Sequence, residues 1–176
     1  MKYDKDKHHR RSIRFPEYNY SAPGAYYITL CTYDRARIFG EIIDGIMVLS
    51  EFGHAVNEIW LESFINSTEI FLDYYVIMPN HFHCVIFIAT ESKDQIANSD
   101  LQMDIFKHRK MLLSKFIGKF KMSTSKQINK IRGTLGNPVW QRNYYEHVIR
   151  HEDDLEHIRE YIMNNPINWN SDENYQ

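Results

Sequence analysis

Cysteine is scarce in this chain: 176 residues contain two, Cys31 and Cys84. Both lie in apolar, strand-like segments, so they read as small buried hydrophobes in a reducing compartment rather than as a disulfide. Long hydrophobic runs are missing too. The longest, Val85 to Ala89, falls far short of the ~20 residues a membrane-spanning helix needs. The first residues, MKYDKDKHHRR, lack the apolar stretch of a signal peptide. A soluble, cytoplasmic protein with no membrane partner is therefore expected. No repeat, low-complexity tract or linker divides the sequence, and 43% hydrophobic with 14% aromatic residues suffices for a buried core. Residues 1–176 are expected to form one domain, with 1–19 a mobile basic arm and 167–176 a tail.

An excess of one charge is absent as well, but the net −2 conceals segregation. Residues 1–40 carry +4, residues 41–103 carry −9, residues 104–142 carry +9 and residues 143–176 carry −6. A +9 block in an acidic chain is a candidate polyanion-binding surface, although a solvated lysine-rich helix face has the same composition. Lys110, Lys115, Lys119, Lys121, Lys126 and Arg142 belong to this block, with Trp140 or a tyrosine available to stack on bases. Arg10, Arg11 and Arg14 form a second basic cluster.

Gly24 to Thr32 is rich in β-branched and aromatic residues and predicts a strand. Ser50 is a suitable N-cap for a helix over 50–65, with Val56, Ile59, Trp60 and Phe64 on its buried stripe. Strands over 70–78 and 82–89 meet at the turn Pro79-Asn80. From Asp104 to about Met122 a helix presents Leu113, Phe116, Ile117 and Phe120 to the core, with Lys115 and Lys119 away from that face. A further strand within Val139 to Ile149 and a helix over 153–165, ended by Pro166, complete the order. This order predicts an α+β fold, a split βαβ sheet with helices packed on it.

The period of two along a strand puts His81, His83, Val85 and Phe87 on one face and Phe82, Cys84, Ile86 and Ile88 on the other. Apolar residues on both faces place this strand in the sheet interior. Two neutral imidazoles on alternate residues can converge on one divalent ion, which then needs a third ligand from elsewhere. Half-buried, hydrogen-bonded histidines are the commoner occupants of such a spacing, and the pair alone does not make a metal site. In the last helix, Tyr161 and Asn165 are four residues apart and share one side, at the edge of a stripe formed by Leu155, Ile158 and Ile162. Asn165 precedes Pro166, which biases it away from helical geometry, and its amide oxygen is a reasonable ligand for a hard ion. Tyr144 and Tyr145 are the competing tyrosines, but their i+4 partners are Val148 and Ile149. His147 and His151 would pair as a second metal site if their segment were helical.

With these residues placed, the chain resembles the HUH single-tyrosine transposases, and most closely their REP-associated group. The matching stretches are YSAPGAYYITLCT (20–32), YYVIMPNHFHCVIFI (74–88), FIGKFKMSTSKQIN (116–129) and VWQRNYYEHVIRHEDDLEHIREYIMNNP (139–166), with Trp169 shortly after. The resemblance implies a ferredoxin-like sheet, His81 and His83 as paired metal ligands, Asn165 completing the metal site, and Tyr161 as nucleophile. It further implies a Mg²⁺ or Mn²⁺ cofactor, single-stranded DNA beside a hairpin as substrate, and a homodimer as in the wider family.

The expected activity is thus metal-dependent cleavage and rejoining of single-stranded DNA through a 5′-phosphotyrosine. A domesticated protein that binds structured DNA or RNA without cutting it is the alternative. A metal hydrolase of small substrates is disfavoured by the +9 block and by few catalytic-type carboxylates around the histidine pair. No general base for the tyrosine stands out.

Overall fold

The computed structural model describes residues 24–65, 67–89 and 99–175, with side chains throughout except over 99–109. The basic cluster of Arg10, Arg11 and Arg14 lies outside the described residues. In chain order the elements are β1 (Ala25–Cys31), β2 (Gly40–Ile43), β3 (Ile46–Leu49), α1 (Glu51–Glu62), β4 (Ile70–Ile77), β5 (His81–Ile88), α2 (Ser99–Ile131), β6 (Tyr145–Ile149) and α3 (Glu152–Asn164). Single 3-10 turns follow β1, at Tyr33–Arg35, and α3, at Trp169–Ser171.

The main sheet runs β4-β5-β1-β6, and every neighbouring pair is antiparallel. Because β5 pairs between β1 and β4, the unit β1-α1-β4 is a split βαβ, and the histidine strand is interior. The fold is therefore α+β, with the His-x-His pair on a buried strand and Tyr161 on the last helix. Among the described residues no helix is long and apolar enough to cross a membrane.

Strand alternation sorts the core into two layers. Tyr26, Ile28 and Leu30 of β1 and Phe82, Cys84, Ile86 and Ile88 of β5 pack with Trp60 of α1 and Leu113, Ile117 and Phe120 of α2. Ala25 of β1, Val85 and Phe87 of β5 and Ile149 of β6 face the other way, against Leu155 and Ile162 of α3 and Trp169. Cys31 shares the α3 side with its cross-strand partner His81, whereas Cys84 lies in the opposite layer. The two thiols are free because the sheet separates them.

Local chemistry explains most element ends. Ser50 Oγ accepts the Gly53 amide at 3.2 Å and caps α1 as its sequence position predicts. Gly53 itself is required, since a Cβ there would stand 2.1 Å from the Phe39 carbonyl. The β2-β3 hairpin was absent from the predicted order, although its signal is present. Asp44 and Gly45 have φ of 51° and 76°, the left-handed pair that an Asp-Gly hairpin turn adopts. Helix α2 runs past the predicted end near Met122 because Thr124 and Ile128 continue its buried stripe. Thr124 also returns its hydroxyl to the Phe120 carbonyl at 2.8 Å, so a polar residue is accommodated inside the helix.

One irregularity matters for the site. A bulge between Leu72 and Tyr75 interrupts β4. The bulge carries Asp73, buried, against Arg159 of α3, also buried. Arg159 donates to both carboxylate oxygens, at 2.7 and 3.0 Å, and to Glu156 at 2.6 Å. That bidentate contact fixes the rotation of α3 on the sheet, and with it the direction of Tyr161.

Candidate metal and nucleophile site

The site is built where the end of α3 crosses the β1-β5-β6 face. Register aligns Cys31 with His81, and Thr29 with both His83 and Tyr145. The rings of His81 and His83 lie 4.5 Å apart between centroids, and both residues are fully buried. Asn80 Nδ2 donates to the Asn174 carbonyl at 2.8 Å, which leaves Asn80 Oδ1 to accept from His81 Nδ1 at 2.9 Å. His81 thus carries its proton on Nδ1 and a lone pair on Nε2. His83 Nδ1 is engaged by the hydroxyls of Tyr27, at 2.8 Å, and Thr29, at 2.9 Å. Both Nε2 atoms are buried with no hydrogen-bond partner, and so is Asn165 Oδ1.

Burial drives the electrostatics. Loss of solvent lowers His81 to about 4, against a smaller upward pull from the Asp172 charge. His83 is held well below its usual value by burial and then by His81. Both imidazoles are consequently neutral at physiological pH and available as ligands. Three buried polar atoms without partners in one dry spot are costly unless something joins them, at roughly 1–3 kcal/mol each.

The structure adds a residue that the sequence reading overlooked. Asp172, just after the Trp169–Ser171 turn, brings its carboxylate within 4.8 Å of the His81 and His83 ligand atoms. Its Oδ2 accepts from Asn165 Nδ2 at 2.7 Å and from the Tyr161 hydroxyl at 3.1 Å. The expected shortage of carboxylates near the histidines is therefore corrected by one, and the same carboxylate accepts the tyrosine hydrogen bond. Eleven positions separate Tyr161 and Asp172. No helical or strand period joins them; the turn of the chain after Pro166 does. Burial works to raise the Asp172 pKa, but the Asn174 amide, the Asn165 side chain and His81 together hold it below the usual carboxylate value. The donor set of two imidazole nitrogens, a carboxylate and an amide oxygen fits a divalent cation.

Tyr161 is 40% exposed, and its ring packs edge-on to His83 at 5.4 Å and to Tyr27 at 6.4 Å. Burial, then the Asp172 charge, raises its pKa above the ordinary phenol value. Asn165 departs from one expectation: with φ −55° and ψ −45° it keeps helical geometry despite the following proline. Burial of its side chain against Asp172 outweighs the modest pre-proline bias.

Tyr27, Tyr145, Tyr161, Asn165 and Asp172 line a cleft of about 850 Å³. The lysines that the charge block singled out sit elsewhere. Leu113, Ile117 and Phe120 bind α2 to the layer opposite α3, with Lys110, Lys115, Lys119 and Lys126 exposed along it and Arg142 exposed in the following segment. Lys121 bonds the carbonyls of Gln141 and Arg142 at 2.6 and 3.0 Å, which ties α2 to the approach of β6. Trp140 does not offer the free stacking face expected of it. It is 6% exposed, packs on Phe39 and Phe120, and donates Nε1 to Thr124 Oγ1 at 2.8 Å. His147 and His151 form no helical pair, because His147 belongs to β6 and bonds Asp154 at 2.9 Å while His151 precedes the first turn of α3.

No protein-family model matches the sequence. An uncharacterized protein of Haemophilus influenzae is 39% identical over 178 residues, covering 99% of this chain and 97% of the relative. The chain belongs to the same family as that protein. Among solved structures, it is similar to the REP-associated tyrosine transposase bound to a REP hairpin, at 18% identity and a TM-score of 0.47, over 89% of this chain and 74% of the other.

Proposed function

We propose that this chain is a metal-dependent single-strand DNA endonuclease and strand transferase of the HUH single-tyrosine type, on a ferredoxin-like scaffold, with hairpin-bearing repeat DNA as its substrate class. One observation carries the reading. Three buried polar atoms without partners, His81 Nε2, His83 Nε2 and Asn165 Oδ1, lie beside a carboxylate that holds the hydroxyl of an exposed tyrosine. A cleft that merely bound nucleic acid would have no use for dry, lone-pair-bearing ligands beneath a phenol.

His81, His83 and Asp172, with Asn165 Oδ1, would hold Mg²⁺ or Mn²⁺. What the bound ion supplies is charge neutralisation at a non-bridging phosphate oxygen and at the departing 3′-oxygen. Tyr161 is held protonated by burial and by the Asp172 charge, so its activation requires that carboxylate to be neutralised. Asp172 Oδ2 accepts the phenol hydrogen bond and so orients the hydroxyl, whose proton passes to solvent as attack begins. The Tyr161 oxygen bonds to phosphorus in line as the bond to O3′ breaks, leaving a 5′-phosphotyrosine and a 3′-hydroxyl that gains a proton from solvent. A second 3′-hydroxyl reverses the step and joins strands.

The test is incubation with Mn²⁺ and labelled, hairpin-containing single-stranded DNA, followed by a search for a denaturation-resistant adduct. We expect an adduct with the unaltered protein, none with Tyr161→Phe, and retained binding without cleavage in His81→Ala and His83→Ala. An adduct that survives Tyr161→Phe overturns the nucleophile. Tight binding by the unaltered protein with no adduct under any metal supports the non-cleaving alternative instead.

A further inference from the structure

We infer that Arg35 binds a phosphate of the strand lying in the cleft, a role that rests on the single-strand reading above. The lysines of α2 are anchored to the other layer of the sheet, so positive charge at the site has to come from elsewhere. Among the described residues lining the cleft, Arg35 is the one lysine or arginine, set against the carboxylates of Asp172 and Glu173. A guanidinium there matches a phosphodiester by planar, two-point hydrogen bonding as well as by charge.

The local backbone shows that this placement is specified. Asp34 and Arg35 are consecutive left-handed residues, with φ of 54° and 51°, and neither is glycine. The turn brings Arg35 Nη1 to Asn174 Oδ1 at 2.5 Å. Asn174 is itself buried, and its carbonyl accepts Asn80 Nδ2 at 2.8 Å while Asn80 Oδ1 holds His81. A continuous hydrogen-bonded chain therefore runs His81, Asn80, Asn174, Arg35. The guanidinium is referenced to the ligand strand through two amides, and its partner Asn174 is a neutral amide rather than a carboxylate.

The experiment measures binding of a fluorescent oligothymidylate in Mg²⁺ by anisotropy across a salt titration, with Tyr161→Phe as the common background so that no strand is cut. Adding Arg35→Gln is expected to weaken binding roughly tenfold at low salt and to reduce the magnitude of the log-log salt slope by about 0.7, the loss of one phosphate contact on a single strand. Arg35→Lys should restore the slope but only part of the affinity, since charge returns without the planar fork. Asn174→Ala removes the same tail contact while leaving the Arg35 charge, and should keep the slope. An unchanged slope in Arg35→Gln, or an equal loss in Asn174→Ala, overturns the Arg35 role while leaving the single-strand reading intact. No salt-sensitive binding by the background protein itself sinks both.

Discussion

Two polar clusters are buried on the same face of the sheet under α3, and only one of them is closed. At Arg159 every charge is answered: Asp73 takes two hydrogen bonds and Glu156 a third. At His81 and His83, six residues further along the helix at Asn165, three buried polar atoms are left without a partner. The first kind of cluster needs no ligand, because it is complete within the chain. The second is incomplete without a cation, and its incompleteness is what locates the chemistry. The two are also coupled. Arg159 and Tyr161 are two residues apart on one helix, so the closed cluster sets the angle at which the open one meets its nucleophile.

Breaking the closed cluster should produce the largest change. Arg159→Met strands the Asp73 carboxylate in the core, and urea unfolding should show a loss of about 3–5 kcal/mol. A loss below about 1 kcal/mol would mean that Asp73 is not as dry as its burial implies.

Acid should act on the open cluster next. In the unfolded chain His81 titrates near pH ~6.5, whereas burial lowers it to about 4 in the folded protein. Between those limits the unfolded state binds more protons, so stability declines as the pH falls, by up to about 3 kcal/mol for His81 when measured in EDTA. His83, shifted the same way, steepens the decline. Thermal denaturation at stepped pH, repeated with His81→Gln, checks this: the variant should flatten the curve.

Filling the open cluster gives an effect of similar size and opposite sign. Mn²⁺ at about one hundred times its Kd should stabilise the protein by about 2.7 kcal/mol. The same titration on His83→Ala or Asp172→Ala should produce little or no shift, while Arg159→Met, though weaker overall, should still respond. A full shift in His83→Ala would place the metal somewhere else.

The smallest change in stability accompanies the largest proposed change in chemistry. Tyr161→Phe removes one half-exposed hydroxyl bonded to Asp172, and should alter unfolding by no more than about 1 kcal/mol. Its adduct should nevertheless vanish. A large stability loss would recast Tyr161 as a structural residue.

Much of this was readable from residue order, for physical reasons that differ by element. The strand period placed His81 and His83 together, and the helical period placed Tyr161 over Asn165, because each relation lies within one regular element. Ser50 and the apolar stripes of α1 and α2 were legible for the same reason. The Asp44-Gly45 hairpin carries a readable signal of the same local kind. Trp140 was misjudged because nothing in its neighbours distinguishes an aromatic residue stacked in a core from one left free for a base. That distinction is made by Phe39, after β1, and by Phe120 and Thr124 of α2, two segments distant from Trp140 in the sequence.

By itself, then, the sequence determined which residues could act within each strand or helix: a neutral imidazole pair on a buried strand and a phenol with an amide one helical turn on. Only the tertiary structure decided how the cluster is completed. Asp172 and Arg35 lie on irregular chain, one after a proline-ended helix and the other in a left-handed turn, where no period relates side chains. Their place near His81 follows from the folding of the tail across β1 and β5, and from the long-range hydrogen bonds of Asn80, Asn165 and Asn174 that hold it there.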